Sequence, residues 1–461
     1  MMQDNILGTE KISKLFIKFS IPAILSLMIA GVQTMVDGIF LGNFVGTNAM
    51  ASVNIAAPFM QLMIGMNLII GIGGASYIGR SLGEGQVKRA QDIFKSACLF
   101  MIGLSLVILC LGFTFSQQLA MFLGANEVLL ADTAMYIKML ALFAPFIGLS
   151  FILGIYVRCI GKPNIYLVSS IVSLVANIIL NYVLIKQFKL GIVGAPIATG
   201  LSFATSFIIV AIPFMSKTTV LNFFTGTFNA KYTGQLLYNG SSEGVSSLAT
   251  AISTFVFNMA FMQIAGEVGV SAFTAIGYIS LFASLIVCGV SAGIGPVISY
   301  NYGAKLHDRV KQMMSLSCKM AITMGTALVI LIFLFGKYLI MLFVSDNQAV
   351  LELALQGSKI YAFTFFFNGL NILFSGYFTT NSGSFFILSF LNKKITTNKV
   401  KTSATGTVIH TPLIPINCGK IVIPNKMKII PRQIATIIED NASPIEVKYP
   451  ENKMFNPLKK F

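Results

Sequence analysis

Asp37 and Glu243 are the residues of this sequence best placed to do chemistry, because each interrupts a long uncharged stretch. No charge lies between Lys18 and Asp37, and Glu243 is the sole charge between Lys231 and Glu267. An ionised carboxylate at the middle of a membrane-spanning helix costs roughly 2.5–3.5 kcal/mol on insertion scales, so such acids face a cavity, a partner or a passing cation. Gln33 lies one helical turn before Asp37 and shares its face. Glu243 stands about seven residues into its apolar run, roughly 10 Å along a helix, with Ser246, Ser247 and Thr250 on its side. At that depth it is either an intramembrane ion ligand or an interfacial acid favoured by the helix N-terminal dipole. Asn177 and Asn181 are one turn apart in a third run, and Asn258, Asn368 and Asn371 fall in later ones. Such amides either serve an ion or substrate or simply join helices.

Other chemistries find no support. His307 and His410 fall outside the apolar runs, the six cysteines have no CxxC spacing, and Gly71, Gly73 and Gly74 are not preceded by a strand. No Walker-type phosphate loop is present, so an enzyme, a metal centre and an ATP-driven pump are all disfavoured. The expectation is a non-enzyme without cofactor, driven by a proton or sodium gradient.

The elements that must position these residues follow from composition. Of 461 residues, 55% are hydrophobic and 10% charged, against roughly 25% charged in soluble domains. Apolar stretches recur near 14–40, 50–77, 93–115, 132–157, 164–186, 192–214, 236–262, 271–299, 313–335 and 353–378. About twenty such residues cross a bilayer, so the fold class is an all-α integral membrane protein with about ten transmembrane helices. The first stretch is too long for a cleaved signal and reads as a retained helix. Proline deletes a backbone donor and clashes with the preceding turn, so Pro22 primes this helix to bend fifteen residues before Asp37. The net charge of +16 falls mainly on one set of loops, including Arg80, Lys88, Arg89, Arg158, Lys162, Lys305 and Arg309. This positive-inside bias places the N-terminus in the cytoplasm of a multi-pass inner-membrane protein and argues against nucleic acid as partner. Membrane lipids are the expected surroundings and a monomer the expected state.

Shifting the chain on itself by about 220 residues superimposes Ser26 on Ser246, Thr34 on Thr254, Gly73 on Gly293, Gly83 on Gly303 and Arg89 on Arg309, and "GLSFILGIY" at 148 on "GLNILFSGY" at 369. Parallel repeats place a substrate site between halves. The organisation read from this is a first six-helix lobe at 1–215, a cytoplasmic linker at 216–235, a second lobe of four helices at 236–383, and a basic non-membrane tail at 384–461. That tail carries twelve basic and four acidic residues.

The pieces "IPAILSLMIAGVQTMVDGIFLGNFVGTNAMASVNIAAP", "SYIGRSLGEGQVKRA", "RCIGKPN" and "ANIILNYVLI" with "GIVGAPIATG" resemble the multidrug and toxic compound extrusion (MATE) family, in its MepA-like bacterial branch, over residues 1 to about 383. The resemblance implies twelve helices in two lobes around a central cavity, of which this chain shows ten. It implies export of small cationic, lipophilic drugs by antiport, with Asp37, in the pattern D-G-x-F-x-G, as the ion-responsive acid coupled to helix-one rearrangement, and Glu243 as a second coupling acid. Where many such relatives read N-x-x-L-D, this chain has Asn177 to Asn181, which removes one acid from the network. A lipid-linked precursor flippase and an inactive, truncated remnant are the alternatives, the latter motivated by the incomplete second repeat.

Overall fold

The computed structural model describes residues 6–341 and 348–381 and, at a minority of positions that includes Asn258, the backbone alone; the expected tail at 384–461 lies outside these residues. Every regular element in them is helical. After a single turn, α1 (Ile6–Thr9), come α2 (Ile12–Phe44), α3 (Thr47–Gly83), α4 (Val87–Thr114) and a short α5 (Ser116–Phe122). Then follow α6 (Glu127–Leu142), α7 (Ala144–Cys159), α8 (Pro163–Asn181), α9 (Gly194–Ala211), α10 (Ala230–Gly303), α11 (His307–Met341) and α12 (Gln348–Asn381). Among the described residues seven helices are long and apolar enough to cross a membrane, or eight if the pair α6 and α7, bent by 53°, counts as one span. Pro145 near the start of α7 explains that bend, because its ring cannot donate into the preceding turn. Pro22, by contrast, lies inside α2, which runs as one continuous helix.

α10 is two spans joined without a loop. Gly266 has φ 59° and ψ −145°, a conformation open to glycine and strained for other residues. A straight helix would separate Phe261 from Phe273 by roughly 18 Å, yet their ring centroids lie 4.9 Å apart. The chain therefore doubles back at Gly266, and its two arms occupy the places of the seventh and eighth apolar stretches.

The lobes meet through glycine, as membrane helices do when close approach replaces hydrophobic exclusion. A Cβ on Gly73 would strike the Leu236 carbonyl, and one on Gly240 the Ile69 carbonyl, so α3 and the first arm of α10 cross in backbone contact. The repeat-related crossing pairs Gly293 of the second arm with Phe19 of α2. At the end carrying the basic loops, Gly83 abuts Tyr300 and Gly303 abuts Arg80. Arg158 donates to the Ala292 carbonyl at 3.0 Å and Ser76 to the Thr379 carbonyl at 3.1 Å, closing this end from both sides.

Two lead-in segments strap the same end. The linker before α10 lies on the first lobe, where Lys95 donates to the Phe223 carbonyl at 2.7 Å, Gln91 to that of Val220, and the Thr227 amide to Asp92 Oδ1 at 2.7 Å. The segment before α2 lies on the second lobe, with Asn301 Nδ2 donating to the Leu7 carbonyl at 2.9 Å and Arg309 to that of Glu10 at 2.6 Å. Each lobe is thus gripped by the lead-in to the other lobe's first helix.

Candidate functional site

α2 runs in the cleft between α8 and α9, and its outer half brings Asp37 against both. Asn177 and Asn181, on one face of α8 by their spacing of four, donate to Asp37 Oδ1 at 3.0 and 2.7 Å. Thr199 of α9 donates to Oδ2 at 2.7 Å. Asn181 also donates to Asn177 Oδ1 at 3.2 Å, which locks the two amides together. Asn177 and Asn181 are both wholly buried.

One turn deeper a second layer repeats the pattern. Gln33 Nε2 donates to Ser202 Oγ at 3.0 Å, while Ser202 itself donates to the Thr199 carbonyl at 2.7 Å. Ser173 donates to the Ser202 carbonyl at 3.0 Å, tying α8 to α9 beneath the acid. Just beyond Asn181 the α-helix widens into a π-helical stretch, Tyr182–Gln187, a local irregularity frequent at functional sites.

The electrostatics of this cradle are one-sided. Hydrogen bonds to a charged group contribute about 1.5–3 kcal/mol each, so three neutral donors offset much of the desolvation of the carboxylate. Among the described residues no lysine, arginine or histidine forms an ion pair with Asp37. Asn181 Oδ1 is buried and accepts no hydrogen bond. A carboxylate held by neutral donors, with an unsatisfied amide oxygen beside it, is a group whose charge a proton or small cation can neutralise.

The MatE family profile matches residues 22–183 and 244–387. The chain belongs to the MatE family. It is a multi-pass membrane protein of the bacterial kind. The chain is 27% identical over 369 residues to "Multidrug export protein MepA" of Staphylococcus aureus (strain N315), covering 79% of this chain and 80% of that protein. It is 25% identical over 365 residues to the protein of that name from Staphylococcus saprophyticus, covering 78% and 79%. In fold it is similar to a solved structure described as the outward-facing conformation of a multidrug resistance MATE family transporter, with a TM-score of 0.77 at 20% identity over 83% of this chain and 86% of that one. A MATE in complex with MaD3S gives a TM-score of 0.77 at 21% identity, over 82% and 85%.

Within this MatE scaffold the remaining residues singled out by sequence are dispersed. Glu243 lies on the first arm of α10, partly buried and within electrostatic reach of Cys288 on the second arm, far along the chain from the Asp37 cradle. Ser246 is exposed, and the side chains of Ser247, Thr250 and Asn258 lie outside the described residues. Pro22 is buried, and its carbonyl accepts from Ser26 Oγ at 2.8 Å. Outside that set, Met63 is buried in the first-lobe core, and Met60 and Met66 pack against that core. Sequence reasoning missed Thr199 and Ser202. The signal was present as Thr199, Ser202 and Ser206, hydroxyls at helical spacing in an otherwise apolar α9.

Proposed function

We propose that this chain exports small, cationic, lipophilic molecules across the membrane by antiport against protons or sodium ions. Asp37 is the ion-responsive carboxylate; Asn177, Asn181 and Thr199 hold it, and Gln33 braces Ser202 one turn below. The supporting observation is the cradle itself: an acid of α2 fixed by neutral donors from two helices, α8 and α9, with an unsatisfied buried amide oxygen beside it and, among the described residues, no ion pair to a cation of the protein's own. Loading a cation there removes the charge penalty of a carboxylate within the membrane. It also loosens the hold of the amide and hydroxyl donors on α2, since bonds to a neutral group are weaker than bonds to a charged one. Ion occupancy and the seating of α2 between α8 and α9 are thereby linked, and α2 forms one wall of the contact between lobes.

Multidrug export is the activity named for the MepA relatives, and the family and the cradle together support it here. No covalent step, metal or organic cofactor enters this scheme. Glu243 serves in the second lobe as an auxiliary acid. Proteoliposomes containing the chain test the reading with ethidium as probe. Extrusion is expected under an imposed gradient and none with Asp37→Asn. The gradient whose collapse stops transport identifies the ion. Undiminished extrusion by Asp37→Asn removes Asp37 from the mechanism.

A further inference from the structure

The two lobes are built on the same repeat but are packed differently at one place. In the first lobe, Gly148 of α7 faces a filled interior: a Cβ there would collide with Met101 Cε and come within 3.1 Å of Ser105 Oγ and 3.4 Å of Asn67 Oδ1. Its counterpart in the repeat, Gly369 of α12, meets only ordinary contacts, with Ala321 Cβ at 3.6 Å and Val287 Cγ2 at 3.7 Å. The substitutions along the repeat, at a shift of 220 in these spans and 221 at Gly148 and Gly369, explain this. Met63 and Met101 become Ala283 and Ala321, and Ser105 becomes Gly325. Met63 and Met101 are buried at 2% and 1% exposure, so the first lobe spends two thioether side chains filling a volume that the second lobe leaves open.

The result is a cavity of about 240 Å³ between the second arm of α10, α11 and α12. An apolar cavity of about 150 Å³ suffices for benzene, so this one has room for a bicyclic ring system. Its walls are mostly aliphatic, with Leu328 and Met324 on α11, whose sulfur makes favourable contacts with ring edges. Two polar groups reach it, Ser284 and Asn368. Asn368 replaces Ile147 of the first lobe and has no hydrogen-bond partner among the described residues. An amide set into an aliphatic wall costs free energy unless something bonds it, and its counterpart shows that the scaffold accepts an isoleucine there.

We propose that this cavity is a ligand site in the second lobe for a small, flat, largely apolar aromatic molecule carrying one hydrogen-bonding group, which Asn368 orients. It is separate from the Asp37 cradle, which belongs to α2, α8 and α9.

Indole is a suitable probe, being a bicycle with a single N–H, and the chain contains no tryptophan, so indole emission is read without background from that fluorophore. With the full chain in lipid nanodiscs, titration is expected to give a saturable blue-shifted component above the linear partition into lipid. The double variant Ala321→Met, Gly325→Ser, which installs the first lobe's residues, is expected to abolish that component while keeping or raising the thermal midpoint. Asn368→Leu is expected to weaken binding roughly fivefold, the value of one hydrogen bond. Asp37→Asn is expected to bind indole normally, so the failure of this site and the failure of the transport reading are distinguishable. Absence of a saturable component in the unaltered chain, or equal binding by the folded double variant, overturns the proposal.

Discussion

The first lobe surrounds an acid with donors and fills its interior with methionine; the second keeps the same backbone positions, has no equivalent cradle among the described residues, and opens a cavity. Asp37 corresponds under the repeat to Phe257, and the sequence after residue 383 has no apolar run as long as the spans that carry Asn177, Asn181 and Thr199. Yet the contacts between lobes stay paired: Gly83 with Gly303, Gly73 with Gly293, one strap with the other. The difference teaches that the duplicated surfaces are held by the need to close against each other, whereas the interiors are free to specialise.

The comparison can be broken most decisively at Asp37. Asp37→Asn is expected to lower ethidium extrusion to the level of empty liposomes, and activity at even a tenth of the original would mean that the first lobe is not the coupling lobe. Thr199→Val keeps the side-chain shape and deletes one donor. It is expected to destabilise by about 1.5–3 kcal/mol in denaturant titration, and by much less in an Asp37→Ala background; an equal loss in both would detach Thr199 from the acid. Gly148→Ala presses a methyl group against Met101 and should cost about 1–3 kcal/mol, seen as a lower thermal midpoint in detergent. The repeat-related Gly369→Ala should change stability by about 0.5 kcal/mol or less. Matching losses at the two glycines would remove the packing difference on which the lobe-two site is built.

Much of this was legible in sequence because membranes impose simple rules. Twenty apolar residues between basic loops announce a span, and an acid within one, such as Asp37, announces a site whatever the fold. The amides at 177 and 181 were visible as a pair on one helix face, since their spacing of four is a property of α8 alone. Which acid they would meet was not visible, because that depends on how α2 inserts between α8 and α9, a contact across 140 residues of chain. Thr199 and Ser202 were passed over because hydroxyls in apolar helices commonly bond their own backbone, as Ser26 and Ser105 do here. The cavity was illegible for another reason. Alanine and glycine at 321 and 325 read as ordinary small residues until they are set beside their counterparts in three dimensions.

The amino-terminal strap bears on how the protein is made. The Leu7 carbonyl is bonded by Asn301, 294 residues later, so during synthesis the opening helical turn must wait, unpaired, until the second lobe has been inserted. A bulky fusion placed just before Ile6 would therefore be felt late, as an assembly defect in which both halves enter the bilayer and fail to dock.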